Sequence, residues 1–163
     1  MSRRYTSELY EDRVKYIKYL MPNACIGGDV IVGFPGEDNS EFDKTLKFIK
    51  DLDISYLHVF PYSERENTRA LSLNESVPIE IRNKRSKVLR LLSDKKKRYF
   101  YESNIKNVRN VLFENKVKGD FIYGFTDNYV KTKIKFNRKL VGKQCNVLLK
   151  KVDNDLSVIG EII

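Results

Sequence analysis

A chain of 163 residues, 41% hydrophobic and 33% charged, has material for one moderate core or a partial core plus a small barrel, and none of its apolar runs approaches the roughly 20 residues of a membrane span. The first stretch is basic but lacks an apolar signal region, so no secretory signal is expected. The net charge of +9 is uneven: residues 1–75 hold 10 Lys and Arg against 13 Asp and Glu, whereas residues 76–163 hold 21 against 9. Binding to a polyanion is the natural use of the basic half, and a solvated lysine-rich surface is the plain alternative. Cys25 and Cys145, far apart in strand-like contexts, read as reduced core residues of a cytoplasmic protein, with a disulfide the minor alternative.

Thr6 is placed to cap a first helix running to about Leu20, with Leu9, Val14, Ile17 and Leu20 as its apolar stripe and Met21-Pro22 as its stop. The run Ile26 to Val32 suits a strand covered on both faces. The loop Gly33-Phe34-Pro35-Gly36-Glu37 follows. Asp38, with Glu41 three residues on, resembles a capping box for a helix whose face is Phe42, Leu46 and Ile49. A second apolar run, Ile54 to Phe60, ends at Pro61. This β-α-β order predicts two parallel strands whose trailing loops, 33–38 and 61–69, leave the same end of the sheet, where α/β folds place ligands. Gly33 and Gly36 would let a ligand approach the backbone, and the amides that open the next helix suit a carboxylate or phosphate; a plain tight turn accounts for the same glycines.

Residues 66–78 are polar and aperiodic, a loop. From Ile79 to about Tyr101 the spacing predicts a long helix with Ile81, Val88, Leu92, Tyr99 and Phe100 on one face and a charged remainder, read as solvated or as touching phosphates. About 23 helical residues reach roughly 35 Å, enough to carry the chain to a separate domain. Five short strand-like runs then follow: 107–113, 120–125, 129–136, 144–152 and 156–162, several divided by turn-forming clusters, and they predict a small antiparallel barrel of the oligonucleotide-binding kind. In the third run Val130, Thr132, Ile134 and Phe136 fall on one face and Tyr129, Lys131, Lys133 and Lys135 on the other. Arg138, Lys139 and Lys143 extend that basic face. Its lysines suit phosphates; Tyr129, and Tyr123 or Phe125, suit stacking on unpaired bases, with buried packing the competing role for Phe125.

The phrases GDVIVGFPGE and YLHVFPYSER, with one helix between them, resemble the fifth and sixth strands of the radical S-adenosylmethionine methylthiotransferases. The opening Met1-Ser2-Arg3-Arg4-Tyr5-Thr6 resembles the segment after their fourth strand, and the carboxyl end resembles their TRAM domain. His58-Val59-Phe60-Pro61-Tyr62-Ser63-Glu64-Arg65 is most similar to the branch that acts on threonylcarbamoyladenosine in tRNA. The family pattern Gly-Thr-x-Ala stands here as Asn67-Thr68-Arg69-Ala70, and Asn tolerates the left-handed turn that Gly would make.

The resemblance implies the later part of a partial (β/α)6 barrel over residues 1–76, a linking helix over 77–103 and a TRAM RNA-binding domain over 104–163. It implies that Asp29, Ile31, Gly33, Phe34, Phe60, Pro61 and Tyr62 line S-adenosylmethionine, that Ser63 and Arg65 face the substrate, and that tRNA is the partner. The intact parent would carry two [4Fe-4S] clusters. Their cysteine motifs are absent from this sequence, so no metal site is assigned, His58 reads as a packed or hydrogen-bonded strand residue, and the fragment alone is expected to hold no cofactor and to be inactive. An exposed apolar strand edge, left where the rest of a barrel would pack, favours self-association. A stand-alone RNA-binding module and the branch that modifies a ribosomal protein remain open at this point.

Overall fold

The structure, a computed structural model, describes residues 5–73 and 75–163, so the first four residues of the opening motif lie outside the described residues. The chain divides into two compact units, Met1–Lys96 and Lys97–Ile163.

In the first unit Thr6 caps α1 (Ser7–Leu20), its hydroxyl accepting from the Leu9 N–H at 3.4 Å. The buried stripe is shifted from the expected one: Val14 is buried with Tyr10 and Ile17 beside it, while Leu9 and Leu20 are exposed. Asp38 caps α2 (Asn39–Asp51) as expected, accepting from the Glu41 N–H at 2.7 Å; the Glu41 carboxylate turns to Lys44 instead of closing a box. Phe42 and Ile49 bury the face of that helix.

Packed against these helices run β1 (Gly27–Val32) and β2 (Tyr56–Pro61), parallel and in register, with Ile31 opposite Phe60 and Val32 opposite Pro61. Both trailing loops therefore leave one end, as the crossover length predicted. The strand expected to be covered on both faces is covered on one. Gly28, Val32, Leu57 and Val59 face the core, whereas Asp29, Ile31, His58 and Phe60 lie on an open face, so His58 is exposed, its ring edge-on to Tyr56. The described residues of this unit form two strands and not a barrel.

The helix α3 (Ile79–Ser103) departs most from its sequence reading. Of the expected face Phe100 is buried and Leu92 packs partly buried against the core, but Ile81, Val88 and Tyr99 are exposed, and the buried stripe in the first unit is Arg82, Arg85, Ser86, Leu89 and Ser93. Apolar spacing alone would not have placed Arg82 and Arg85 inside. The loops after β1 and β2 present carbonyls and carboxylates to this helix, and buried acceptors need donors. Leu89 sits fully buried in the core cluster, and Ser93 both accepts from the Leu57 N–H at 2.8 Å and donates to the Leu57 carbonyl at 3.2 Å. Lys96 donates to the carbonyls of Lys50 and Leu52, closing the end of α2.

The second unit is a closed barrel of β3 (Val108–Lys118), β4 (Phe121–Thr126), β5 (Lys131–Lys135), β6 (Gln144–Val152) and β7 (Val158–Ile162), in the order β3-β4-β5-β7-β6. All five expected strands are present, the first longer than read. One correction is topological: β5 and β7 pair in parallel. A ring with an odd number of strands cannot alternate direction all the way round, so closure forces one parallel pair. Val111, Phe113, Ile122, Val130, Val147, Leu149 and Val158 fill the interior and are fully buried. At the end of α3, the Tyr101 hydroxyl accepts from the Lys131 N–H, and the Asn104 side chain donates to the Phe100 carbonyl and accepts from Asn128. Among the described residues no helix is long and apolar enough to cross a membrane.

Candidate functional site

Two buried arginines on the first turns of α3 fix the loops that leave β1 and β2. Arg82 donates to both oxygens of Glu64, at 2.6 and 3.0 Å, and to the carbonyls of Val77 and Tyr62 at 2.7 and 2.9 Å. Its hydrogen bonds hold the Glu64 carboxyl below its ordinary range. Arg85 donates to the Glu37 carbonyl and carboxylate, at 2.8 and 2.9 Å, and to Asn39 at 3.0 Å. The other Glu37 oxygen accepts from the Gly33 N–H at 2.8 Å. The Gly33 amide, in the loop where a close backbone approach to a ligand was expected, is thus taken by a carboxylate of the same loop. Gly33 itself, at φ +75°, lies under the Arg82 side chain. Asn67 adopts φ +61°, the left-handed turn expected of it.

Beyond this clamp lies a cavity of about 740 Å³. Of the residues assigned from sequence, Ile31, Phe34, Phe60, Pro61, Tyr62, Ser63 and Arg65 line it together, with Phe34 edge-on to Tyr62 at 5.2 Å. Asp29 and Gly33 do not. Asp29 borders a separate cavity of about 430 Å³ near Tyr10 and Phe48, and Gly33 is buried behind Arg82. Sequence reasoning missed the far wall: Thr68, Arg69, Ala70, Ser72 and Leu73, partly on a short 3-10 helix, Arg69–Ser72. The match of Thr68-Arg69-Ala70 to the end of Gly-Thr-x-Ala was the visible signal there, but an aperiodic segment gives no face to read. Among the described residues no cluster of three His, Cys, Asp or Glu side chains could hold a metal ion.

On the barrel, alternation placed the side chains of β5 correctly but not their exposure. Lys133 points outward opposite Tyr123, yet it is 5% exposed, because the residues between β6 and β7 cover that spot. Its ammonium pairs with Asp153 at 2.5 Å and Asp155 at 3.1 Å, and the Tyr123 hydroxyl donates to Asp155. Lys133 and Tyr123 therefore hold the barrel together and are not open to a ligand. Phe136, expected inside, is 47% exposed, since β5 ends before it. What stays open is Tyr129, 71% exposed, tilted against Phe125 at 6.4 Å, with Lys131 half-buried over the Tyr123 ring. Lys135, Arg138, Lys139 and Lys143 are exposed too.

Burial pushes the Asp155 carboxyl up, but hydrogen bonds from Ser157, Lys133 and Tyr123 outweigh it and hold the group far below the usual carboxylate range. A carboxyl depressed in the folded state adds stability above its unfolded pKa, about 4, and loses it as pH falls toward the folded value. The melting temperature of the barrel should thus be insensitive to this pair above about pH 4 and fall below it. Lys133→Met should lower the neutral-pH melting temperature and flatten that acid limb, whereas Lys135→Met should change neither.

A cavity at the carboxyl ends of parallel strands is where α/β enzymes bind small ligands. No protein-family model matches the chain. It is 41% identical over 151 residues to the threonylcarbamoyladenosine tRNA methylthiotransferase MtaB of Aquifex aeolicus, covering 91% of this chain and 35% of that protein. It is 36% identical over 155 residues to MtaB of Bacillus subtilis, covering 93% of this chain and 34% of that protein. The tRNA-2-methylthio-N(6)-dimethylallyladenosine synthase of Bacillus subtilis is 31% identical over 169 residues, covering 100% of this chain and 33% of that protein. Among solved structures, the apo form of Mycoplasma genitalium RNase R aligns over 53% of this chain and 20% of its own at 14% identity, with a TM-score of 0.32, too low to bear on the fold. The chain belongs to the radical S-adenosylmethionine methylthiotransferase family. It spans about a third of the length of these relatives.

Proposed function

We propose that this chain is the carboxyl-terminal part of a tRNA methylthiotransferase acting on threonylcarbamoyladenosine beside the anticodon, supplying one wall of the S-adenosylmethionine site and a tRNA-binding TRAM barrel. The observation that carries this reading is the gathering of Ile31, Phe34, Phe60, Pro61, Tyr62, Ser63 and Arg65 around one cavity at the carboxyl ends of β1 and β2. Its volume falls in the range of nucleoside-sized ligand sites. Ile31, Phe34 and Phe60 offer an apolar wall for an adenosyl group, Pro61 and Tyr62 a strand end whose backbone can read its edge, and Ser63 and Arg65 the side turned to substrate.

When bound, S-adenosylmethionine and [4Fe-4S] clusters supply the radical chemistry and the methyl group. The side chains of this chain do not fit a cluster, which needs three thiolates where the sequence has two cysteines, one in each unit. Those ligands belong to other parts of the parent, and the chain by itself is expected to be inactive. A tRNA substrate places the parent in the cytoplasm. The open face of β1 and β2 that carries Ile31 and Phe60, with the free edges of this two-stranded sheet, is proposed to promote self-association; sedimentation at high concentration should show more than a monomer.

For the barrel, Lys135, Arg138, Lys139 and Lys143 are proposed to contact phosphates, with Tyr129 stacking on an unpaired base. Binding to tRNA should weaken steeply with salt, and Lys135→Ala/Lys139→Ala should reduce the log–log slope by roughly 2. A flat salt dependence would remove RNA binding from the proposal. For the whole function, nucleoside mass spectrometry of tRNA from a strain lacking the full gene should show threonylcarbamoyladenosine without its methylthio group. Loss of the dimethylallyl product instead would overturn the choice of substrate.

A further inference from the structure

The cavity has a chemical asymmetry that the apolar wall does not use. Its far side carries two guanidinium groups, Arg65 and Arg69, and three hydroxyls, Ser63, Thr68 and Ser72, and among the described residues no carboxylate lines it. Among the described residues neither guanidinium has an ion-pair partner. The nearby acid Glu64 is already held by both terminal nitrogens of Arg82. Thr68 donates to the Arg65 carbonyl and Ser72 to the Arg69 carbonyl, each at 2.8 Å, so the loop is pinned and both hydroxyl oxygens can still accept. Arg82 and Arg85 serve the fold. Arg65 and Arg69 stay exposed and, among the described residues, outside any ion pair.

We propose that Arg69, with Arg65 beside it, binds the carboxylate of the N6 substituent on the target adenosine and so selects an anionic substituent over an apolar one. This rests on the substrate reading given above. A threonylcarbamoyl group ends in a carboxylate next to a hydroxyl; a dimethylallyl group has neither. Relatives named for both substrates share this chain's sequence at 31–41% identity, so side chains that differ on a related scaffold can set the choice. Arg69 fills the position that the family pattern Gly-Thr-x-Ala leaves open. A planar guanidinium matches a carboxylate with two parallel hydrogen bonds, and a site built for them discriminates against a group that makes none. The same fork would also hold an RNA phosphate, so the two anions must be told apart.

The test titrates this chain with three probes, followed by NMR shifts of the arginine Nε–H groups and the Ala70 amide. The probes are threonylcarbamoyladenosine, which has a carboxylate and no phosphate; dimethylallyladenosine, which has neither; and adenosine 5′-monophosphate, which has only the phosphate. Threonylcarbamoyladenosine should bind about tenfold more tightly than either of the others, the scale of one charge-assisted hydrogen-bonded pair. Arg69→Gln should erase that advantage while leaving dimethylallyladenosine within twofold, and Arg69→Lys should restore part of it. Arg69 is exposed, so an unchanged amide spectrum elsewhere will confirm an intact fold. Equal binding of all three probes, absence of binding, or equal weakening of all three by Arg69→Gln would overturn the proposal; tighter binding of the monophosphate would assign the arginines to the RNA backbone instead. If tRNA still binds in a salt-dependent way while the nucleosides go undiscriminated, this inference alone fails. The nucleoside analysis of the deletion strain judges the substrate reading independently.

Discussion

Replacing Gly33 with alanine is expected to unfold the cavity mouth before anything else in the first unit. At φ +75° an alanine costs about 1–2 kcal/mol from backbone sterics alone. The added Cβ would also stand 2.3 Å from Arg82 Cγ. That carbon is not the free end of a side chain: it lies between a helix and a guanidinium held by Glu64, Ser76, Val77 and Tyr62. Either the loop backs away, losing the Gly33 bond to Glu37, or Arg82 leaves its partners. The combined loss should be about 3 kcal/mol, seen as a melting temperature lowered by more than about 10 °C. Hydrogen exchange at the Tyr62 amide, which bonds to the Val32 carbonyl, should quicken in parallel. Gly36→Ala is the control. Its φ of +85° carries a similar backbone penalty, but the nearest atom to the new Cβ is the Glu75 carboxylate at 3.3 Å, so the Arg82 network should survive.

Gly124→Ala is expected to do comparable damage to the barrel for a different reason. The new Cβ would meet the Leu112 carbonyl oxygen at 2.3 Å and Phe113 Cα at 2.9 Å. These are backbone atoms of the partner strand, where Gly124 lies opposite Phe113. Relief requires parting β3 from β4 beside Phe113 and Ile122, both fully buried. A loss of about 3 kcal/mol or more should follow, and the proposed tRNA binding should weaken as the barrel opens. Gly119→Ala, with nothing within 4 Å of the new Cβ, should cost only the backbone strain of its φ of +57°. Equal melting temperatures for the two variants would mean that β3 and β4 are not packed this closely.

These two glycines mark what a sequence can and cannot announce. Gly33 sits in a phrase whose type, a strand followed by Gly-Phe-Pro-Gly, already signals a tight loop. Gly124 sits inside Phe-Ile-Tyr-Gly-Phe-Thr, where nothing local says that another backbone will pass within contact distance. The helix α3 shows the same divide more sharply. Its existence was legible from composition and length, but its buried face only in part: hydrophobic spacing favoured Ile81, Val88, Leu92, Tyr99 and Phe100, of which Ile81, Val88 and Tyr99 stay exposed, while the neighbouring loops required Arg82 and Arg85. The far wall of the cavity, Thr68 to Leu73, had no period to read, and the partial match to the family pattern at 67–70 was its trace.

The sequence by itself determined the elements and their order, the parallel direction of β1 and β2, the cap at Asp38, the five strands of the barrel and the basic character of the second half. Each of these follows from interactions within a few residues, or from a chain-length constraint that any fold must obey. Only the tertiary structure decided which charges are spent and which are free. Lys133, Arg82 and Arg85 lie among basic residues that look alike in sequence, yet they are consumed by carboxylates from distant loops, while Arg65, Arg69, Lys135 and Lys139 are not. A buried charge persists only where a partner from elsewhere in the chain compensates its lost hydration, and no window of sequence contains that partner.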